Sequence, residues 1–208
     1  MINRREFLQL GTAAAVAWSA NGLEASPAVA PGPAGPADSV TPIYKVLFDE
    51  RFADGIAFAL RVQECGGDVH PIRGDICAIW YDDLYHHWNG SPVGVAGLTT
   101  PRSLFCLDMF ARDAGLRVVY YAEHELGADG PVDHRVFGPD RLRRTARLTQ
   151  AGPQWSTEVA FALTHFPRAG CRPVRKAVDP LVPSTSLVSW VIAPVWQKHI
   201  AELPFGRA

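Results

Sequence analysis

Residues 93 to 122 read VGVAGLTTPRSLFCLDMFARDAGLRVVYYA, and the fold class turns on this stretch. Val93 to Leu98 is a short apolar run that suits a buried strand. Thr100-Pro101 suits a helix start, because threonine can cap and proline fits the first helical position. Arg102 to Ala114 is apolar on most sides and is stopped by Gly115, after which Leu116 to Ala122 reads as the next strand. A helix of this length between two buried strands is the pattern of a parallel crossover.

The same rhythm extends upstream. Ile43 to Phe48 reads as a buried strand, and Phe52, Ile56, Ala59 and Leu60 recur at helical spacing until Gly66-Gly67. Val69 to Ile72 gives a second strand. Asp75 can cap a helix on which Ile76, Trp80, Leu84 and Trp88 follow at i, i+4 steps. The order predicts a three-layer α/β fold built on a mostly parallel, doubly wound sheet. Downstream the rhythm breaks. Val132 to Phe137 and Thr145 to Thr149 read as a C-terminal hairpin turning through Gly138-Pro139-Asp140. An extra helix over Trp155 to Phe166, an extra strand over Leu187 to Ile192 and a short amphipathic helix carrying Trp196, Ile200 and Leu203 complete the expectation.

In an open parallel sheet, ligands bind beyond the carboxyl ends of the strands, where helix N-termini present free N–H groups. Those ends hold Asp49, Glu50 and Arg51; Arg73, Gly74 and Asp75; Thr99, Thr100 and Ser103; and Glu123, His124 and Glu125. The expected ligand-binding rim comprises Asp49, Arg51, Asp75, Thr99, Thr100, Arg102, Ser103 and His124. Hydroxyls beside a helix N-terminus and an arginine suit a carboxylate or phosphate oxygen. Helix capping is the competing explanation for Thr100 and Asp75. For Glu123-His124-Glu125 the alternation of a strand lets only alternate members share a site.

Asp82 with His86, and Asp83 with His87, stand at i, i+4 on one expected helix, which serves local structure unless further metal ligands join them. Arg141, Arg143, Arg144 and Arg147 form a basic cluster, either a partner surface or a solvated face that neutralises the acidic half. Cys65, Cys77, Cys106 and Cys171 can pair in three ways, but no Cys-x-x-Cys unit occurs and no metal site is expected. Cys106, between Phe105 and Leu107, is expected to be a buried inert thiol. The chain has no Gly-x-Ser-x-Gly, no phosphate loop, no dinucleotide fingerprint and no His-Glu-x-x-His, so no cofactor is assigned.

With 48% hydrophobic and 20% charged residues in 208, the composition is that of a globular protein. A formal charge of −1 argues against nucleic acid as a partner. No apolar run reaches the length of a membrane span. Charge is unevenly spread: Asp38 to Asp133 carries 7 Lys and Arg against 15 Asp and Glu, and His134 to Ala208 carries 11 against 4. The single domain expected over residues 41–208 is thus acidic over 41–133 and basic over 134–208.

The first residues, Met-Ile-Asn-Arg-Arg-Glu-Phe-Leu, resemble the twin-arginine translocation signal, matching it at Arg4, Arg5, Phe7 and Leu8. Asn3 and Gln9 depart from its commoner residues. An Ala-rich stretch with Gly11 and Thr12 follows, then a linker holding Pro27, Pro31, Pro33 and Pro36. The resemblance implies a signal and linker over residues 1–40, with cleavage after Ala20, Ala25, Ala28 or Ala37. It also implies passage through the twin-arginine (Tat) translocase as a folded protein and a periplasmic destination. Two functions are compatible with all this. One is a small-anion-binding or accessory protein of an envelope redox system, with an anionic ligand or an envelope protein as partner. The other is a periplasmic hydrolase or isomerase using Asp49, Asp75 or Glu123 with His124 as acid and base.

Overall fold

The computed structural model describes residues 40–127, 131–138, 140–167, 172–176, 178–179 and 186–195. The expected signal motif at Arg4, Arg5, Phe7 and Leu8, the cleavage sites, Cys171 and the helix around Trp196, Ile200 and Leu203 all lie outside the described residues.

Six strands form one mixed sheet: β1 (Ile43–Asp49), β2 (Val69–Ile72), β3 (Gly94–Thr99), β4 (Leu116–Glu125), β5 (Asp133–Phe137) and β6 (Ser186–Pro194), in the order β2-β1-β3-β6-β4-β5. β1 pairs in parallel with β2 and β3, whereas β6 runs antiparallel to both β3 and β4. Strands β1 to β4 therefore all point the same way, as the alternation with helices requires. The sheet is only partly parallel, because β6 enters between β3 and β4 and separates the two strands joined by the decisive crossover. Alternation with helices fixes strand direction and leaves adjacency open. The apolar run Leu187 to Ile192 is wholly buried, which only a central strand with both faces covered can achieve.

Two helical layers cover the sheet. On one face lie α1 (Ala53–Glu64), α5 (Arg141–Ala151) and α6 (Trp155–Thr164), whose Phe58, Val62, Leu148, Val159 and Leu163 pack on Val46, Leu98, Ala122 and Val191. On the other, α2 (Cys77–Ile79), a π-helical turn (Trp80–Leu84), α3 (Tyr85–Gly90) and α4 (Pro101–Asp113) place Ile79, Leu84, Trp88, Leu104 and Leu107 on Leu47, Val95, Val188 and Trp190. The three-layer α/β architecture is as the sequence predicts. Among the described residues no helix is long and apolar enough to cross a membrane.

The expected C-terminal hairpin is corrected. Thr145 to Thr149 lies inside α5, and β5 pairs instead with β4, setting His134 opposite His124. Arg, Leu, Gln and Ala dominate α5 and favour helix, and because this three-turn helix buries only Leu148, its helical spacing is carried by arginines rather than by apolar residues. Gly138 and Asp140 thus end a strand and open a helix.

Candidate functional site

The structure brings most of the expected rim together. β1 and β3 are neighbours whose outgoing connections, α1 and α4, pack on opposite faces, so Asp49 and Thr99 end at the topological switch point. Asp49 is fully buried and accepts from the Arg51 backbone N–H at 3.2 Å, Nε at 2.9 Å and Nη2 at 2.6 Å. The Arg51 guanidinium lies across Gly74, where a Cβ would stand 2.5 Å from Nη2. Ser103 Oγ donates to the Gly74 carbonyl at 2.9 Å and sits 3.1 Å from Thr100 Oγ1. Thr99 Oγ1 accepts from Trp190 Nε1 at 3.0 Å and donates to the Thr100 carbonyl. Three loops are stitched into one junction, and every hydroxyl proton in it is used internally.

Charges at the junction cancel in the same way. Glu50 pairs with Arg73, and Asp75 accepts the Cys77 backbone N–H at 2.9 Å in the turn that leads into α2, whose N-cap is Ile76. Thr100 has an extended cap conformation without a side-chain cap bond. Arg102 is exposed on the outer side. Removing Arg51 should expose the cost of this closure: Arg51→Ala leaves a buried carboxylate unpaired and is expected to lower unfolding free energy by about 3 kcal/mol. Urea denaturation reads this directly, and a loss below about 1 kcal/mol, the level of a surface pair, would show that solvent replaces the guanidinium.

His124 and Glu123 part company. His124 points into the layer under α6, and Glu123 points to the opposite face, where Tyr121 donates to it at 3.0 Å and Arg135 and Lys176 stand 3.7 and 3.6 Å away. Asp75, beyond β2, is four strand positions from β4, about 19 Å at ordinary strand spacing. Asp75, Glu123 and His124 are therefore not assembled into one acid–base site.

His124 has other company that the sequence does not announce. Its Nδ1 lies 2.8 Å from His134 Nδ1 and its Nε2 lies 2.8 Å from Ser189 Oγ, with the Trp155 ring 4.4 Å away and tilted by 36°. All four side chains are buried. Burial and the neighbouring imidazole hold His124 well below the ordinary histidine range, and burial lowers His134. Serine, imidazole and a second imidazole in line have the connectivity of a nucleophile and its base. With Ser189 fully buried under Trp155, however, the line is part of the core.

Of the two Asp–His pairs, Asp83–His87 forms a 2.9 Å contact within the π-helical turn and the helix after it. Asp83 also accepts from Tyr44 and Lys45, and these donors hold its carboxyl below the usual range. The cluster ties the π-helical turn to β1. Cys65, Cys77 and Cys106 carry no disulfide, and Cys106 is exposed, contrary to the buried thiol expected of its apolar neighbours. Phe105 and Leu107 pack, but the intervening residue on α4 faces outward.

A different place offers an open cavity. Between α5 and α6, Tyr120, Arg143, Arg144, Arg147, Phe161 and His165 are among the residues lining a cleft of about 250 Å³. Arg147 is paired with Glu158 of α6, and no carboxylate pairs with Arg143 or Arg144 among the described residues. The Arg144 guanidinium is held over the Tyr120 and Phe166 rings, 5.5 and 5.6 Å from their centroids. Phe161 and His165 stack at 4.3 Å. Asp140 opens α5 in the left-handed region, φ 57°, and makes no side-chain cap bond. The first turn of α5 carries no acid and three arginines, the reverse of what the helix dipole favours. The arginine cluster is legible in the sequence near an expected hairpin, whereas the structure sets it on α5; helical i, i+3 and i+4 spacing at residues 141, 144, 147 and 148 is the signal that finds the cleft.

In comparison with known proteins, no family model, no curated sequence and no solved structure matches this chain.

Proposed function

We propose that this chain is an exported protein that binds a small anion, and that the anion sits in the cleft between α5 and α6. Export is supported by the resemblance of the first eight residues to a twin-arginine signal. Anion binding is carried by one observation: Arg143 and Arg144 border a cavity without a carboxylate partner, at a helix end whose dipole adds to their charge. An anion there offsets the like charge of the neighbouring guanidinium groups. The junction at the strand ends, by contrast, satisfies its own donors and acceptors, so it serves as the rigid frame.

The test is a thermal-denaturation screen with acetate, benzoate and inorganic phosphate at fixed ionic strength. At least one is expected to raise Tm, by an amount following ligand concentration over Kd. The double variant Arg143→Gln/Arg144→Gln should lose the shift, and Arg102→Gln at the strand-end junction should keep it. No shift with any anion, or a shift lost only on changing Arg102, would overturn the assignment.

A further inference from the structure

We infer that the ligand of the α5–α6 cleft is a planar aromatic monocarboxylate, its carboxylate on Arg143 and Arg144 and its ring on the Phe161–His165 wall; this deepens the anion-binding reading and rests on it. The cleft's volume of about 250 Å³ lies just below the range of drug-sized sites, room for about one ring with its head group.

Charge narrows the class. Three arginines line the cleft with Asp140 and Glu158, and Arg147 is already spent on Glu158. The remaining positive charge matches a single negative one. A phosphate monoester carries about −1.5 to −2 near neutral pH and would bring its second charge against both carboxylates. The geometry of Arg144 points the same way. Its guanidinium carbon lies 5.5 and 5.6 Å from the Tyr120 and Phe166 ring centroids, at the border of the cleft, and the paired N–H groups of a guanidinium match the two oxygens of a carboxylate.

The rest of the lining selects the body of the ligand. Tyr120, Leu148, Phe161, Ala162 and Pro167 give the cleft an apolar side that a bare inorganic anion leaves wet. Phe161 is 40% exposed although it is a large aromatic residue, and His165 lies parallel to it within 28°. His165 Nδ1 is 3.0 Å from the Phe161 carbonyl and 3.1 Å from Thr164 Oγ1, contacts that fix the imidazole in the stacked position. A ring in the cleft extends this stack.

Calorimetric titration of the full-length protein with benzoate, acetate, benzamide and inorganic phosphate tests the inference. Benzoate is expected to bind about tenfold or more tightly than acetate, which lacks the ring, and than benzamide, which lacks the charge. Phe161→Ala, a change at an exposed position, should weaken benzoate several-fold and leave acetate unchanged; Arg144→Gln should weaken both. Acetate or phosphate binding as tightly as benzoate would overturn the aromatic ligand while leaving the anion site standing. Benzamide binding as tightly as benzoate, or no binding by any of the four, would overturn the anion site with it. Unchanged far-ultraviolet circular dichroism of each variant separates lost binding from lost fold.

Discussion

Trp190→Ala is expected to destabilise the protein by about 4 kcal/mol, the largest effect of any single change considered. Trp190 is fully buried near the middle of β6, facing Gly97 on β3 and Tyr121 on β4 in the sheet register. Its indole fills the space that Gly97 leaves, and its Nε1 bond satisfies buried Thr99. Alanine would open a cavity there and leave the Thr99 hydroxyl with one partner fewer. The reciprocal change is informative. A Cβ at Gly97 would stand 2.7 Å from the Trp190 indole and 2.6 Å from the Leu47 carbonyl, so Gly97→Ala overpacks the sheet and should cost about 3 kcal/mol. In the Trp190→Ala background only the Leu47 clash remains, and the penalty of Gly97→Ala should shrink. Urea denaturation of the two single variants and the double variant measures all three quantities. A cost below about 1 kcal/mol for Trp190→Ala would mean that β6 is not held by this contact.

Acid should destabilise the protein well before its carboxylates titrate. Both His124 and His134 are buried and their folded-state pKa values lie below the ordinary histidine value. Above pH about 6.5 both rings are neutral in the folded and unfolded chain alike, and their contribution is fully present. As pH falls below that value the unfolded chain takes up protons that the folded chain refuses, so stability declines toward the folded pKa values. One such histidine contributes a slope of up to about 1.4 kcal/mol per pH unit and two contribute about twice that. His70, whose pKa burial also lowers, acts in the same direction. Asp83, with its carboxyl depressed, contributes stability that is lost only at lower pH, below the ordinary carboxylate value. The measurement is the urea midpoint between pH 7.5 and 5. His134→Gln, which retains an amide near the His124 Nδ1, should flatten part of the slope; a flat profile in the unmodified protein would show that the folded pair takes up protons as readily as the unfolded chain does.

Much of the fold is legible in the sequence because direction and layering are local properties. Gly115 ends a helix and Leu116 begins a strand, and the alternation from Ile43 to Ala122 fixes four strands pointing one way. Adjacency is non-local. Nothing near Leu187 to Ile192 records that its neighbours will be β3 and β4, although the unbroken apolar run does record that both faces are covered. The α5 segment differs for another reason: with one buried residue, Leu148, its helical period is written in the arginines at 141, 144 and 147 and not in an apolar stripe.

The site divides along the same line. Asp49, Arg51, Thr99, Thr100 and Ser103 are placed together by topology, as expected, but whether their polar atoms face a ligand or one another depends on distances that no spacing encodes. The union of His124 with His134 and Ser189 depends on the pairing of three strands, so it is invisible before the fold. The arginines of α5 were visible as charge, and only the helix turned them into a cleft.

The position of β6 has a consequence for the order in which the chain can mature. Until residues 186–194 are available, β2-β1-β3 and β4-β5 are two separate pieces of sheet, each ending in an unpaired edge next to the other. The strand that joins them follows the other five in the chain, so neither edge is protected until it docks. Loss of β6 would thus remove the keystone of the sheet, and the interval before β6 docks is the time of greatest exposure to aggregation.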